Sequence, residues 1–318
     1  MDEFETSAVD SLWSTQPITA EMKDMDTKTS ILITGATGRT GRRLVSALSG
    51  VDGLSVRAAS RQGDPPFAWE APDTWPVQLS GADAAFICYA PDVADPGAPE
   101  ILSEFAAAAR HHGLSRLILL SGRGGTAAHP SEEAVLRNFP AAVVVRSAWF
   151  QQDFSEHFLH PQVLQGQLRV PVNGVSEPFV DLEDSAEALA HLLTEVDAYR
   201  EVASGILEFT GPDSVTFADV AAALSAALGR TVEHVPTTPE DFIAGAADAG
   251  MSREEAEGIV WLFAEAMDGS ASHSSGDLER LLGRPPQPIQ EYIARTAVQR
   301  VWDEKLPQPQ GESAAGVS

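Results

Sequence analysis

The sequence predicts an α/β protein of the Rossmann kind: a doubly wound parallel sheet followed by a smaller, mostly helical C-terminal lobe. Three observations predict it. Short runs of branched apolar residues recur without apolar/polar alternation, the mark of strands buried on both faces. Helical patterns fill the intervals, as the crossovers between parallel strands require. The first run passes straight into a glycine-rich turn and a helix, "ILITGATGRTGRRLVSAL" at residues 31–48.

Taken in order, residues 1–28 are acidic and aperiodic and read as a disordered extension. Strands follow at 30–34 (SILIT), 54–59 (LSVRAA), 84–90 (AAFICYA), 116–121 (RLILLS) and 142–146 (AVVVR). Helices are expected at 39–49, 98–112 and 131–138. Together these make a cofactor-binding core over residues 29–155. The rhythm then changes. Residues 166–195 read as a loop, a strand at Pro178–Val180 and a helix opened by the acids around Asp184. "GILEFTG" reads as a strand and "TFADVAAALSAALGR" as an amphipathic helix capped by Thr216. Residues 239–268 are mostly helical, and "PPQPIQEYIARTAVQRVW" ends in one more helix. Residues 156–305 thus form a substrate lobe whose strands return to the core sheet, and 306–318 an unstructured tail.

With 318 residues, 43% hydrophobic and 21% charged, the composition is that of an ordinary globular protein. No apolar run approaches the roughly 18 residues that span a bilayer. The first residues carry acids where a signal peptide would be basic. A cytoplasmic protein without membrane contact is expected. The net charge of −25 repels phosphates and disfavours nucleic-acid partners. Cys88 is the single cysteine, which excludes an internal disulfide and a multi-cysteine metal site. His157 and His160 lack a carboxylate set that would suggest a metal, so none is expected.

Gly35, Gly38 and Gly41 form GxxGxxG. Glycines let a backbone approach a pyrophosphate, and the helix behind them aims its unpaired N–H groups and positive dipole end at it. With Thr37, Arg39 and Thr40 they are the expected phosphate cradle. An NAD-specific fold places an acid about 20 residues beyond the glycines. Here Ser60 and Arg61 stand at that distance, and a guanidinium suits a 2′-phosphate. Arg39 offers a second cation. NADP(H) is therefore the expected cofactor; Asp64 keeps NAD in view, and either arginine is otherwise a solvated surface residue.

Reductases on such a fold commonly use Tyr-x-x-x-Lys, the tyrosine giving a proton and the lysine lowering its pKa. Four residues past Tyr89, Tyr199 and Tyr292 stand Val93, Ala203 and Thr296, and the only lysines are Lys23, Lys28 and Lys305. The dyad is absent.

"ITGATGRTG", "LILLSGRGG", "VVVRSAWFQQDFSE" and "PFVDLEDSAEALAHLLTE" resemble the NmrA-like group of atypical short-chain dehydrogenases, over roughly residues 30–235. One departure is Arg146-Ser147-Ala148-Trp149-Phe150-Gln151-Gln152, where the group has Arg-Pro-x-x-Phe and an Asn-containing turn. "FAWEAPDTW" and "SAWFQQDF" are most similar to the branch with festuclavine and agroclavine dehydrogenases and their bacterial relatives. The resemblance implies NADPH-dependent reduction of an iminium ion in secondary metabolism. A ketone becomes an alkoxide when hydride arrives and needs a proton donor. An iminium becomes a neutral amine and needs none, so the missing dyad fits it.

The resemblance also implies site residues. In the group the nicotinamide lies along the carboxyl ends of its fourth and fifth strands, here Cys88-Tyr89-Ala90-Pro91 and Ser121-Gly122-Arg123. The small Ala90, with Pro91, lets the cofactor pass. Ser121 matches the catalytic serine, or else satisfies local backbone. Tyr89 lines the pocket or acts as an unorthodox acid, or packs beside the adenosine. His129, four residues before Glu133, is the general acid if the substrate is a ketone or quinone, or an idle loop histidine. Trp149, Phe150 and Gln152 form substrate walls or core. Ile259, Leu262, Phe263 and Met267 share a helical face that closes the core, the substrate site or a homodimer interface. The implied function is an NADPH-dependent reductase acting on an iminium or carbonyl of a small organic molecule. The alternatives are a non-catalytic NADP(H) sensor and an NADPH quinone reductase. A roomy pocket closed by the C-terminal helices separates enzyme from sensor.

Overall fold

The computed structural model describes residues 28–248 and 250–303; the expected N-terminal extension, Lys28 aside, and the C-terminal tail lie outside these described residues. The order begins β1 (Thr29–Ile33), α1 (Arg39–Leu48), β2 (Leu54–Ala58), α2 (Trp75–Leu79), β3 (Ala84–Ile87), α3 (Ala98–His111) and β4 (Arg116–Gly122). Next come α4 (His129–Asn138), β5 (Val143–Ser147), α5 (Asp153–Glu156), α6 (His160–Gln165), β6 (Gln167–Val170), β7 (Ser176–Glu177) and α7 (Leu182–Thr194). After them stand α8 (Val196–Val202), β8 (Ile206–Phe209), β9 (Val215–Thr216), α9 (Phe217–Leu228) and β10 (Glu233–Pro236). The last elements are α10 (Pro239–Asp248), α11 (Arg253–Ala266), α12 (Asp277–Leu282) and α13 (Ile289–Val298).

One six-stranded parallel sheet, in the order β2-β1-β3-β4-β5-β8, carries the fold. Its strands are the expected apolar runs because their residues lie between two layers of helices: Ile31, opposite Val56 on one side and Ala84 on the other, has no exposed surface. β8 pairs with β5 through Val144 opposite Ile206 and forms one edge of the sheet. Beneath α2, α3 and α4, one face buries Phe67, Trp69, Trp75 and Phe105. Beneath α1 and α7, the other buries Leu44, Phe86, Leu189 and Phe209. Each such side chain stabilises the fold by roughly 2 kcal/mol relative to exposure.

β1 hands the chain to β2 on one side, and β3 then starts on the other. The two connections diverge and leave a crevice at the carboxyl ends of β1 and β3, where ligands of open α/β sheets bind. After β2 the chain makes α2 in place of a further strand, so the strands that the resemblance counts fourth, fifth and sixth are β3, β4 and β5 here.

One expectation for the second half needs correcting. The strand expected at Pro178–Val180 is a ladder of only Ser176–Glu177 with Val215–Thr216, and Val180 makes a single bridge to Phe150. β6 and β10 pair in a second small ladder, joining segments too far apart for any local pattern to announce. Both ladders cover a third apolar cluster around Phe154, Phe179, Phe217 and Phe263. Thr216 does cap α9, in a reciprocal capping box with Asp219. The adjacent basic pair Arg42 and Arg43 ties α1 to its neighbours: both reach Glu156, and Arg43 Nε also reaches Glu183 at 2.7 Å.

Candidate active site

The crevice is held by one side chain. Thr34 follows β1; its hydroxyl donates to the Phe86 carbonyl at 3.2 Å and accepts the Cys88 N–H at 2.9 Å, fastening the ends of β1 and β3 together. Gly35 sits at φ +62°, and a Cβ there would meet that of Cys88 at 3.1 Å. Gly38 begins α1 with no side-chain cap and no acid in the first turn, so the unpaired N–H groups of that turn meet no competing oxygen from a cap. A Cβ on Gly41 would stand 2.2 Å from the Gly35 carbonyl oxygen. The helix start is thus pressed against the turn, leaving a bare concave backbone. Thr37 and Gly38 are exposed on it, while Thr40 turns inward and is buried. Past β2, the Ser60 carbonyl accepts N–H bonds from Gly63 and Phe67 at 3.1 and 2.9 Å, and Arg61 is exposed.

Beside this turn, a cavity of about 280 Å³ opens at the carboxyl ends of β3, β4 and β5. Tyr89, Pro91, Ser121 and Trp149 line it from the strand ends, and Ile259 and Leu262 of α11 wall its far side. Trp149 is fixed by stacking on Phe263, ring centres 4.7 Å apart. Arg39 reaches the same cavity from α1, ion-paired with Asp153 and lying over the Phe150 ring at 5.4 Å. His157, Asp92, Ser147 and Arg123, the last ion-paired with Glu208, complete the polar part of the lining.

No protein-family model matches the chain. It is 29% identical over 281 residues to the uncharacterized oxidoreductase YesF of Bacillus subtilis (strain 168), covering 84% of this chain and 95% of that one. It is 26% identical over 280 residues to festuclavine dehydrogenase easG of Aspergillus fumigatus, covering 81% and 94%. The chain is a homologue of these oxidoreductases. Among solved structures, triphenylmethane reductase of Citrobacter sp. complexed with NADP(H) superimposes with a TM-score of 0.72 at 20% identity, over 84% of this chain and 99% of that one. The two chains therefore share a fold, the doubly wound parallel sheet that the apolar runs predicted.

In this oxidoreductase homologue Ser121, Tyr89, Trp149 and Phe150 come together at the cavity, with Pro91 beside the exposed Ala90. Ser121 is not a free hydroxyl: it donates to Glu132 Oε1 at 2.6 Å. Tyr89 packs on Trp69, ring centres 5.1 Å apart, and burial raises its phenol further. His129, the first residue of α4, is not brought there. It lines a separate space of about 140 Å³ with Arg123, Arg146 and Glu208. Gln152 is also absent from the lining, because both ends of its amide are used: Nε2 donates to Asp181 at 3.1 Å and Oε1 accepts the Leu182 N–H at 3.0 Å, fixing the start of α7. Arg39 faces Asp153 on the β5 side of β1, the opposite flank from Arg61, so the two arginines do not form one cation pair.

Sequence reasoning weighed His157 only as a metal ligand and missed its pairing with Asp153, whose only signal was the i, i+4 spacing. Glu177 was missed too. It is 3% exposed, accepts the Trp149 N–H at 3.1 Å, and burial pushes its carboxyl up to about 7. The folded carboxyl keeps its proton longer than the unfolded one, so the native state binds the extra proton between about pH 4.5 and pH 7. Stability is then expected to fall as pH rises through that window, by about 3 kcal/mol. Glu177→Gln keeps the acceptor without the charge. Melting curves at pH 5 and pH 8 are expected to separate for the wild type and nearly coincide for the variant.

Proposed function

We propose that the protein is an NADPH-dependent reductase that delivers hydride to an iminium or carbonyl carbon of a small organic molecule. One observation carries the reading: a walled, aromatic-lined cavity adjoins a turn shaped for a pyrophosphate, and α11 closes its far side. A sensor that only binds nucleotide has no use for such a space. The residues present fit the nucleotide. Gly35, Gly38 and Gly41 leave the backbone bare for the pyrophosphate, with exposed Thr37 beside it and the backbone N–H groups of Arg39 and Thr40 at the helix start. Ser60 and Arg61 would meet the ribose and 2′-phosphate, and Ala90 and Pro91 would border the nicotinamide half. Bound there, NADPH supplies the hydride.

The chain's own residues do the rest. Trp149, Phe150, Ile259 and Leu262 would hold a flat apolar substrate and keep water from it. Asp92 contributes a carboxylate that has no ion pair among the described residues, only the Ala94 N–H at 2.8 Å. Such a charge favours a cationic electrophile, which takes hydride without needing a proton and so dispenses with Tyr-x-x-x-Lys. A relative named festuclavine dehydrogenase and a structural neighbour named triphenylmethane reductase support redox chemistry on small organic compounds. The division into a cofactor core at residues 29–155 and a substrate lobe at 156–305 belongs to the same proposal.

Fluorescence titration of the purified protein with NADPH and NADH comes first, followed by consumption of NADPH with cyclic imines, ketones and quinones. NADPH is expected to bind about tenfold or more tighter than NADH, with Arg61→Gln removing most of that preference, and an imine is expected to turn over. Tight binding without turnover of any class would make the protein a sensor. If neither nucleotide bound, the proposal would fall.

A further inference from the structure

The cavity continues outward into a wider cleft of about 620 Å³ beneath α11. Asp92, His157, Phe158, Ile259 and Leu262 line both spaces, so His157 stands at the throat between them. Its Nδ1 lies 3.6 Å from Asp153 Oδ1, four residues back. That carboxylate is fixed: its side chain is 5% exposed, Oδ1 holds Arg39, and Oδ2 accepts the Phe150 N–H at 3.2 Å. Nε2 of His157 makes no hydrogen bond among the described residues, and the side chain is half exposed. The arrangement is an imidazole steered at one nitrogen by a fixed acid, with its other nitrogen uncommitted and solvent within reach.

We propose that His157 is the proton donor when the electrophile is a carbonyl, with Asp153 positioning it, so that one cavity reduces ketones as well as iminium ions. The inference rests on the reductase reading above. In the carbonyl reaction the carbon gains hydride and its electron pair from the dihydronicotinamide, which is oxidised to nicotinamide. The C=O π pair moves to oxygen, an O–H bond forms as the N–H bond of the imidazolium breaks, and solvent reprotonates the neutral imidazole. The other candidates are poorer donors. Ser121 has its proton on Glu132, and the raised phenol of Tyr89 is a weak acid near neutrality.

The groups facing His157 are Asp153 of α5, Arg39 of α1, Asp92 after β3 and Glu255 of α11, with Tyr89 and the partly buried Cys88 thiol beyond them. Burial and Arg39 lower the imidazole pKa, and Asp153 opposes them. Ketone reduction should therefore be fastest on the acidic side and fall as pH rises through the His157 pKa. Reduction of a quaternary iminium salt should not follow that titration.

The test uses the full chain, NADPH, a cyclic ketone and an N-methylated cyclic iminium salt. His157→Gln is expected to lower the ketone-to-iminium ratio of kcat on the order of 100-fold and to abolish the fall of the ketone rate with rising pH. In nucleotide-free protein, Asp153→Asn is expected to move the His157 NMR titration to lower pH. An unchanged ratio in His157→Gln, equal loss on both substrates, or a wild type that reduces only the iminium salt would overturn the inference and leave the reductase reading standing. A wild type that reduces neither would overturn both.

Discussion

Gly41→Ala abolishes NADPH binding and lowers the melting temperature: this is the largest functional effect expected of a single methyl group here. The added Cβ would stand 2.2 Å from the Gly35 carbonyl oxygen and 2.8 Å from the Ala36 Cα. Both are backbone atoms of the turn, so no side chain can swing aside. Either α1 lifts away or the turn opens, and each destroys the concave surface proposed for the pyrophosphate. Overpacking of this kind costs about 1–3 kcal/mol, more than the roughly 1 kcal/mol alanine returns through helix propensity. Gly245→Ala is the control, since a Cβ at that position of α10 meets nothing within 4 Å. It should bind NADPH as the wild type does and melt no lower. Fluorescence titration and thermal unfolding of the two variants check both halves.

Glu132→Ala should cost the most stability, about 3 kcal/mol for breaking a buried ion pair. Glu132 is 2% exposed. Its carboxylate accepts Ser121 Oγ at 2.6 Å and Arg146 Nε at 3.0 and 3.1 Å, with Arg146 Nη2 at 2.5 Å. Truncation would leave the Arg146 guanidinium, 22% exposed, without its partner at the end of β5, and the Ser121 hydroxyl without its acceptor. These residues join β4, α4 and β5 beside the cavity, so the damage falls on the site as well as on the fold. Glu133→Ala, one residue along and on the exposed side of α4, should change stability by less than about 0.5 kcal/mol. Urea unfolding of the two variants separates a buried carboxylate from a solvated one.

The contrast between those neighbours marks where sequence reading stops. The apolar runs of β1, β3, β4 and β5 were legible because both faces of the sheet are covered, so almost every residue in them must be apolar. The glycine turn was legible because its glycines answer purely local demands: a positive φ at Gly35 and the close approach of backbone at Gly41. Thr216 was legible for the same reason, since a capping box spans only three residues. His129 and Gln152 were reasonable expectations for the site, and the fold assigned them elsewhere. His129 starts α4 beside Arg146, and Gln152 is consumed in fixing the start of α7.

By itself, then, the sequence determined the parallel sheet and the glycine turn. Each is a matter of composition or of residues adjacent along the chain. Only the tertiary structure decided that His157 and Asp153 face the cavity, that Arg39, 114 residues before Asp153, grips the same carboxylate, and that α11 forms the far wall. Those meetings depend on how β1, β5 and the C-terminal helices are brought together by long crossovers. Side-chain proximity across such connections follows from the packing of whole elements, and no spacing along the chain encodes it.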